Sequence, residues 1–234
     1  MSDPLVSIII PTFNSSVLLA ATLASILEED YEAKEIVVVD DGSTDDTAEV
    51  CARFPVVYLR QENSGPAAAR NHGVTCSHGE LLVFHDHDDL CPPGSLRARV
   101  EHWRQEPDSD IVIGRLRRFC ERTPGQIEFI ESGEETSHYL CMGAAMVTRR
   151  AYERLGGLDE SRCKSDDTDF YLRAREAGMK LKFIPEICLF YRRHPGNISH
   201  NLDESDHRML GELHRAMQRR RMHGSEATKN DGNK

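Results

Sequence analysis

Four short runs of apolar, β-branched residues in the first 90 positions constrain the fold of this chain more than any other feature. The runs are LVSIIIP, EIVVVD, VVYLR and ELLVF, and in most of them apolar positions follow one another without a break. Strands of this kind are buried on both faces. Segments with the helical spacing of apolar residues separate them, at 15–29, 45–54 and 66–76. This alternation predicts an α/β fold with right-handed crossovers and a mostly parallel sheet that helices cover on both sides.

The rest of the chain is less regular and indicates no second domain boundary. From the spacing of apolar residues and the positions of Gly and Pro we expect a helix over 95–105, strands over 110–119 and 125–131, a strand and a helix over 143–157, a helix over 167–178, and a strand-like segment over 179–193 that Pro185 breaks. We therefore expect a smaller region of mixed structure beside the parallel sheet.

Composition limits the functions that the chain can have. The formal net charge of -10 argues against nucleic acid as a partner, because phosphate backbones require a basic face. Seven cysteines without a C-x-x-C pair indicate reduced thiols and a cytoplasmic protein. No apolar segment is long enough to span a membrane. The basic cluster RAMQRRRMHG (215–224) allows at most a peripheral membrane contact and is more typical of a solvated helix end.

The stretch HDHDD places Asp86 and Asp88 directly after the fourth strand run. In open parallel sheets, ligands bind outside the carboxyl ends of the strands. Two carboxylates so close together repel each other unless a cation lies between them, and Mg²⁺ or Mn²⁺ prefers such oxygen ligands and shares them with substrate phosphates. The alternative is a solvated loop in which Asp89 or Ser95 caps the next helix.

Two more residues follow strand runs and suit a nucleotide. Asp41, in DDGS, can accept hydrogen bonds from a base or ribose, although turn formation and helix capping also explain it. Arg70 lies one turn into the helix that begins at Pro66, where it can reach an anion at the helix N-terminus or form a surface salt bridge. The chain lacks both G-x-G-x-x-G and G-x-x-x-x-G-K-[ST], which argues against a dinucleotide oxidoreductase and a P-loop NTPase.

Together these stretches resemble the inverting, nucleotide-sugar-dependent glycosyltransferases of family 2. The resemblance covers positions 5 to about 200, and its specificity comes from seven motifs in the family's order rather than from one D-x-D. The motifs are VSIIIPTFN (6–14), EIVVVDDGSTDDT (35–47), ENSGPAAARNHG (62–73), FHDHDD (84–89), GAAMVTRRAYERLGGLDE (143–160), DDTDFYLRAREAG (166–178) and YRRHPGNIS (191–199). The resemblance implies a GT-A fold, which is a Rossmann-like, mostly parallel sheet flanked by helices with a smaller mixed region on the acceptor side.

The resemblance also implies a division of the chain. We expect a single GT-A domain over 1–223 and a disordered tail over 224–234. Within the domain, residues 1–93 would bind the nucleotide-sugar and are called the nucleotide half below. Residues 94–200, called the acceptor half, would face the acceptor, and residues 201–223 would form a C-terminal helix.

Roles for individual residues in donor binding follow from the resemblance as well. Pro11, Thr12 and Phe13 would line the nucleotide pocket. Asp41 would hydrogen-bond the base, which is usually uracil in this family. Arg70 would approach the base and diphosphate region.

Further residues would hold the metal and perform the chemistry. Asp88 would bind the metal, Asp86 would contact the ribose or the metal, and His194 matches a histidine near the diphosphate or metal. Asp167 occupies the place of the general base in the family's Glu-Asp-x-Asp. Asp166 replaces the more usual Glu and has a shorter side chain. The same acidic run can also cap the helix that it precedes.

These implications define an inverting transfer of a sugar from a UDP-linked donor to a saccharide or lipid-linked saccharide. Such a reaction would serve the synthesis of a polysaccharide or glycoconjugate. Two alternatives stay open. A metal-dependent nucleotidyltransferase or phosphohydrolase would use Asp86 and Asp88 without a base at Asp167, and a non-catalytic accessory protein would bind the sugar nucleotide without turnover.

Overall fold

The structure of the chain is a computed structural model that describes residues 2–121, 123, 125–130, 140–161 and 166–197. The predicted C-terminal helix, the tail over 224–234 and the basic cluster over 215–224 lie outside the described residues. None of the helices in the described ranges is both long and apolar enough to cross a membrane.

The nucleotide half forms the parallel part of the sheet. Its elements in chain order are β1 (Val6–Thr12), α1 (Ser16–Leu27), β2 (Lys34–Asp40), α2 (Thr47–Cys51), β3 (Val57–Arg60), α3 (Pro66–Thr75) and β4 (Leu81–Phe84). β1 pairs in parallel with β2 and β4, and β2 pairs in parallel with β3. The predicted alternation of strands and helices is therefore confirmed, although α2 is shorter than the spacing indicated.

The acceptor half continues the sheet in mixed directions. Its elements are α4 (Ser95–Gln105), β5 (Ile111–Glu121), β6 (Ile127–Phe129), a 3₁₀ turn (Met142–Ala144), β7 (Ala145–Thr148), α5 (Arg149–Arg154), α6 (Asp166–Glu176) and β8 (Leu181–Arg192). β7 is antiparallel to both β4 and β5, so it joins the two halves. The described strand order is β3-β2-β1-β4-β7-β5-β6, and β8 pairs in parallel with β5.

Neighbouring residues of β1 contribute to separate hydrophobic clusters on the two faces of the sheet. Ile8 and Ile10 pack in one cluster with residues of α1 and α4. Ile9 packs in the other cluster with residues of α3, α5 and α6. Because side chains of a strand alternate between the faces of a sheet, burial on both sides requires apolar residues at consecutive positions. This burial explains the unbroken apolar run.

The strand with the proline differs from expectation. β8 runs through Pro185 rather than ending there. Its register with β5 shifts instead, from Ile113 opposite Phe183 to Arg115 opposite Ile187. Proline lacks the main-chain N–H that would donate a hydrogen bond to the neighbouring strand. The register shift accommodates this loss without ending the strand. The continuous strand carries the chain back to the end of β4.

Candidate active site

Loops that bear the predicted polar residues follow β1, β2 and β4 at one edge of the sheet. The strands are parallel, so their carboxyl ends meet there. The Asp41 N–H donates to the Thr12 carbonyl at 2.9 Å, which ties the loop after β2 to the end of β1. A ring nitrogen of His87, after β4, lies 3.2 Å from the Pro11 carbonyl oxygen. The edge is therefore one connected surface.

The Asp41 carboxylate holds the loop that leads into α3. Its Oδ1 accepts hydrogen bonds from the Ser64 N–H and the Gln61 side-chain amide, each at 2.8 Å, and its Oδ2 accepts one from the Gly65 N–H at 2.8 Å. Asp41 therefore stabilises a loop 20 to 24 residues further along the chain rather than the turn of its own DDGS stretch. Because Oδ2 accepts a single bond among the described residues, this oxygen can also accept one from a ligand.

The three residues predicted to line the pocket lie at the end of β1. Thr12 is buried, and its hydroxyl has no hydrogen-bond partner in the part of the chain that the structure describes. Phe13 is 46% exposed, although it is a large apolar residue beside polar loops. Pro11 lies next to the His87 ring. All three border the same edge as Asp41.

Arg70 is buried and links two carboxylates. Its Nη2 donates to Asp86 Oδ1 and its Nη1 to Asp166 Oδ2, both at 2.5 Å. The surface salt bridge considered from the sequence is therefore not what the structure shows. Burial alone would lower the pKa of Arg70, but the charges of Asp86 and Asp166 raise it above its ordinary value. Burial alone would raise the pKa of Asp86, but the Arg70 charge lowers it, so this ion pair stays charged.

The second aspartate of HDHDD has a different partner. Asp88 Oδ2 lies 2.9 Å from His194 Nε2, so two of the three residues predicted to bind the metal meet. Asp86 is held by Arg70 instead. Across the described ranges, no three His, Cys, Asp or Glu side chains gather as a complete metal cage. An ion such as Mg²⁺ or Mn²⁺ needs only one or two protein carboxylates when substrate phosphates supply other ligands, and Asp88 provides one such carboxylate beside the His194 ring.

Asp167 lies in the first turn of α6, beside the ion-paired Asp166. Its Oδ2 accepts a hydrogen bond from the Met142 N–H at 3.0 Å. Its Oδ1 is buried, and no described residue is its partner. Burial, with a further contribution from the charge of Asp166, raises the pKa of Asp167 from its ordinary value of 3.8 to about 7. A carboxyl group with such a pKa can accept a proton near neutral pH.

The third acid of this run has a structural role. Asp169 pairs with Arg173 at 2.6 Å, one turn further along α6. The acidic run thus separates into an ion pair with Arg70, a carboxyl group with one oxygen that has no partner among the described residues, and an ion pair within the helix. Asp166, Asp167 and Asp169 all lie within the first turn of α6, where the helix dipole favours acids. The capping position before Asp166 lies outside the described residues.

Sequence reasoning missed two buried residues that contact the loop after β4, Thr22 of α1 and Arg192 of β8. Thr22 belongs to no motif, and Arg192 lies within YRRHPGNIS (191–199), where only His194 was given a role. It also gave no account of His85, which is 1% exposed and lies 3.0 Å from the Asp86 carbonyl oxygen. Burial lowers the pKa of His85, so the ring stays neutral.

Comparisons with known proteins identify the family. The family model described as "Glycosyl transferase family 2" matches residues 7–156. The glycosyltransferase GlyG of Streptococcus pneumoniae is 34% identical over 224 residues, which cover 83% of this chain and 72% of that protein. The chain therefore belongs to glycosyl transferase family 2, and the predicted class of enzyme is confirmed.

Solved structures establish the fold. TarS of S. aureus (residues 1–349), in complex with UDP-GlcNAc, superposes with a TM-score of 0.68 at 18% identity over 82% of this chain. The mannosyltransferase PcManGT of Pyrobaculum calidifontis, in complex with GDP-Man and Mn²⁺, gives a TM-score of 0.65 at 23% identity over 84% of this chain. The chain spans 60% of the first structure and 59% of the second. These similarities confirm the predicted GT-A fold.

Proposed function

We propose that this chain transfers a sugar from a UDP-linked donor to a hydroxyl group of a saccharide or lipid-linked saccharide, with inversion at the anomeric carbon. The observation that carries the proposal is the buried Oδ1 of Asp167, which has no partner among the described residues and belongs to a carboxyl group with a pKa of about 7. Membership of glycosyl transferase family 2 supports the same reaction class.

The donor would bind along the strand ends of the nucleotide half. Pro11, Thr12 and Phe13 border that edge, and Asp41 Oδ2 can accept a hydrogen bond from the base. Arg70, which Asp86 and Asp166 hold in place, would lie at the base and diphosphate region of the donor. Binding of UDP-GlcNAc by TarS and of GDP-Man by PcManGT supports a nucleotide-sugar donor, and TarS supports UDP among the nucleotides.

Asp88 and His194 would hold a divalent ion, with Asp86 beside them on Arg70. Mg²⁺ or Mn²⁺, when bound, neutralises the charge that develops on the leaving nucleoside diphosphate. Mn²⁺ in the PcManGT complex supports this cofactor. Asp86 already pairs with Arg70. Asp88 would therefore be the stronger metal ligand, and Asp86 would orient the ribose.

Asp167 would act as the general base. Its Oδ1 takes the proton of the acceptor hydroxyl while that oxygen forms a bond to the anomeric carbon. The bond from this carbon to the diphosphate breaks on the opposite face, and the electron pair leaves with the nucleoside diphosphate. One displacement of this kind inverts the anomeric configuration. The Met142 N–H holds the other oxygen of the base in place.

The substitution Asp167→Asn tests the proposal. Asparagine keeps the size of the side chain and can still accept the Met142 N–H, but it cannot take a proton. We expect transfer to fall about 10²–10⁴-fold while UDP binding stays close to that of the unmodified protein. Asp169→Asn is the matched control, because it removes an acid from the same helical turn whose carboxylate pairs with Arg173. The transfer rate of this variant should change far less. Turnover retained in Asp167→Asn would contradict the assignment.

Product analysis separates the alternatives. Release of nucleoside diphosphate with a glycosylated acceptor supports transfer, whereas nucleoside monophosphate or pyrophosphate would indicate a nucleotidyltransferase or phosphohydrolase. An accessory protein would bind UDP without turnover and would tolerate Asp167→Ala.

The cytoplasmic location and a peripheral membrane contact stay predictions from composition.

A further inference from the structure

Two buried side chains contact three consecutive carbonyl groups of the acidic loop, which we define as residues 86–90. Thr22 Oγ1 lies 2.8 Å from both the His87 and the Asp89 carbonyl oxygens, and the hydroxyl has one proton to donate to them. Arg192 Nε donates to the Asp88 carbonyl between them at 2.6 Å. Thr22 is fully buried and Arg192 is 2% exposed. The main chain that carries Asp88 is thus held from α1 on one side and from β8 on the other.

Arg192 is itself fixed by contacts on β5. Its Nη1 pairs with Glu121 Oε1 at 2.6 Å, and its guanidinium lies 4.8 Å from the centre of the Phe119 ring. Its main-chain N–H donates to Asp89 Oδ1 at 2.8 Å. A planar guanidinium with two such contacts has little rotamer freedom. Arg192 therefore fixes the acidic loop relative to β5 and β8.

The end of β8 contacts this loop at two further points. Leu90 and Phe190 exchange two main-chain hydrogen bonds, each of 3.0 Å. Two residues beyond Arg192, His194 Nε2 lies 2.9 Å from the Asp88 carboxylate. Asp88 is therefore bound through its carbonyl by Arg192 and through its carboxylate by His194. Both contacts come from one short segment of the acceptor half.

We propose that Arg192 is a positioning residue that sets the placement of Asp88 relative to His194 and thereby the affinity of the donor site for a divalent cation. This inference rests on the proposed function, because it assumes that Asp88 and His194 hold the ion. Partners that orient metal ligands commonly change metal affinity by about 10–100-fold when they are removed. Arg192 has no direct part in the reaction, and its effect passes through Asp88.

The test measures UDP binding by calorimetry as a function of Mn²⁺ concentration. In Arg192→Met the loop loses the donor to the Asp88 carbonyl, and we expect the Mn²⁺ concentration for half-maximal UDP binding to rise at least about tenfold. Arg192→Lys keeps the charge and can donate one hydrogen bond, so it should restore part of the affinity. Thr22→Val removes the hydroxyl at nearly constant volume, and it should raise the Mn²⁺ requirement in the same direction.

Arg149→Met is the matched control. Arg149 also holds acceptors of a neighbouring loop, namely the Gly79 and Val74 carbonyls and the Ser77 hydroxyl, but at the opposite edge of the sheet. The variant Arg149→Met should lower the melting temperature and leave the Mn²⁺ dependence of UDP binding unchanged. The inference would be overturned if Arg192→Met folded and kept the original Mn²⁺ dependence. If Arg192→Met did not fold, the same result in folded Arg192→Lys and Thr22→Val would overturn it. An equal shift in Arg149→Met would overturn it too. Failure of the unmodified protein to bind UDP with Mn²⁺ would instead refute the proposed function itself.

Discussion

The two halves of the sheet are built in different ways. In the nucleotide half, strands β1 to β4 pair in parallel, and every described pairing among them has one direction. In the acceptor half, β5 alone pairs with three strands, two of them antiparallel. In the proposed function, the strand ends of the regular half bind the nucleotide. The irregular half places single side chains, such as Asp166 and His194, beside those strand ends.

Sequence separation shows the same contrast. The Asp41 carboxylate binds main-chain groups 23 and 24 residues away, in the next loop of the same half. The Arg70–Asp166 contact spans 96 residues, and the Asp88–His194 contact spans 106. The candidate catalytic groups therefore lie where the two halves meet. A substitution at this boundary should weaken the contact between the halves, whereas a substitution within one half should leave that contact intact.

The largest expected effect on stability comes from Arg70→Met. This substitution leaves Asp86 and Asp166 close together without their shared cation. Removing one partner of a buried ion pair typically lowers the free energy of unfolding by about 3 kcal/mol or more. Urea denaturation would measure the change. Because Arg70 joins a residue of each half, the loss should weaken the contact between them.

The exposed pair of Arg97 and Asp30, at 3.1 Å, provides the control. Surface ion pairs contribute at most about 1 kcal/mol, so Arg97→Met should change the unfolding free energy little. If the two arginine variants were destabilised equally, Arg70 would not be the link between the halves.

The next effect is on the pH dependence of transfer. Asp167 must be deprotonated to act as a base, and its pKa is about 7. The rate with saturating donor should therefore fall about tenfold per pH unit below that value. A pH–rate profile would show this limb, and the residual activity of Asp167→Asn should lack it. A limb that persists in Asp167→Asn would belong to another group.

The smallest effect is a gain in stability. The folded-state pKa of Asp167 lies above its ordinary value of 3.8, so the folded state binds this proton more tightly than the unfolded state does. The corresponding stability is present below 3.8 and is lost as pH rises to about 7. Asp167→Asn should therefore gain a few degrees in melting temperature relative to the unmodified protein at pH 8, and the difference should shrink at pH 5. Calorimetric melts at both values would measure it, and a difference independent of pH would contradict the raised pKa.

Much of the fold could be predicted from local patterns. Consecutive apolar positions indicated strands buried on both faces, and the helix over 95–105 has the predicted bounds. These features depend on short segments, so the sequence carries them directly. The contact of Asp88 with His194 spans 106 residues, and only the resemblance to the family suggested that the two lie close together.

Other parts of the site depend on tertiary contacts that no local pattern encodes. Arg70 was compatible with a surface salt bridge until the fold placed Asp86 and Asp166 on either side of it. Thr22 and Arg192 became relevant only through their contacts with the acidic loop. Such residues are identified by what packs against them, and the packing arises from elements distant in the chain.

The most direct test of the division between the halves is calorimetric titration of UDP with Mn²⁺ and then with EDTA. The unmodified protein, Asp167→Asn and Asp88→Asn would be compared. We predict metal-dependent binding that is alike in the unmodified protein and Asp167→Asn and strongly weakened in Asp88→Asn. Absence of UDP binding with Mn²⁺ in the unmodified protein would contradict the proposed donor site. Loss of binding in Asp167→Asn alone would contradict the separation of the donor site from the general base.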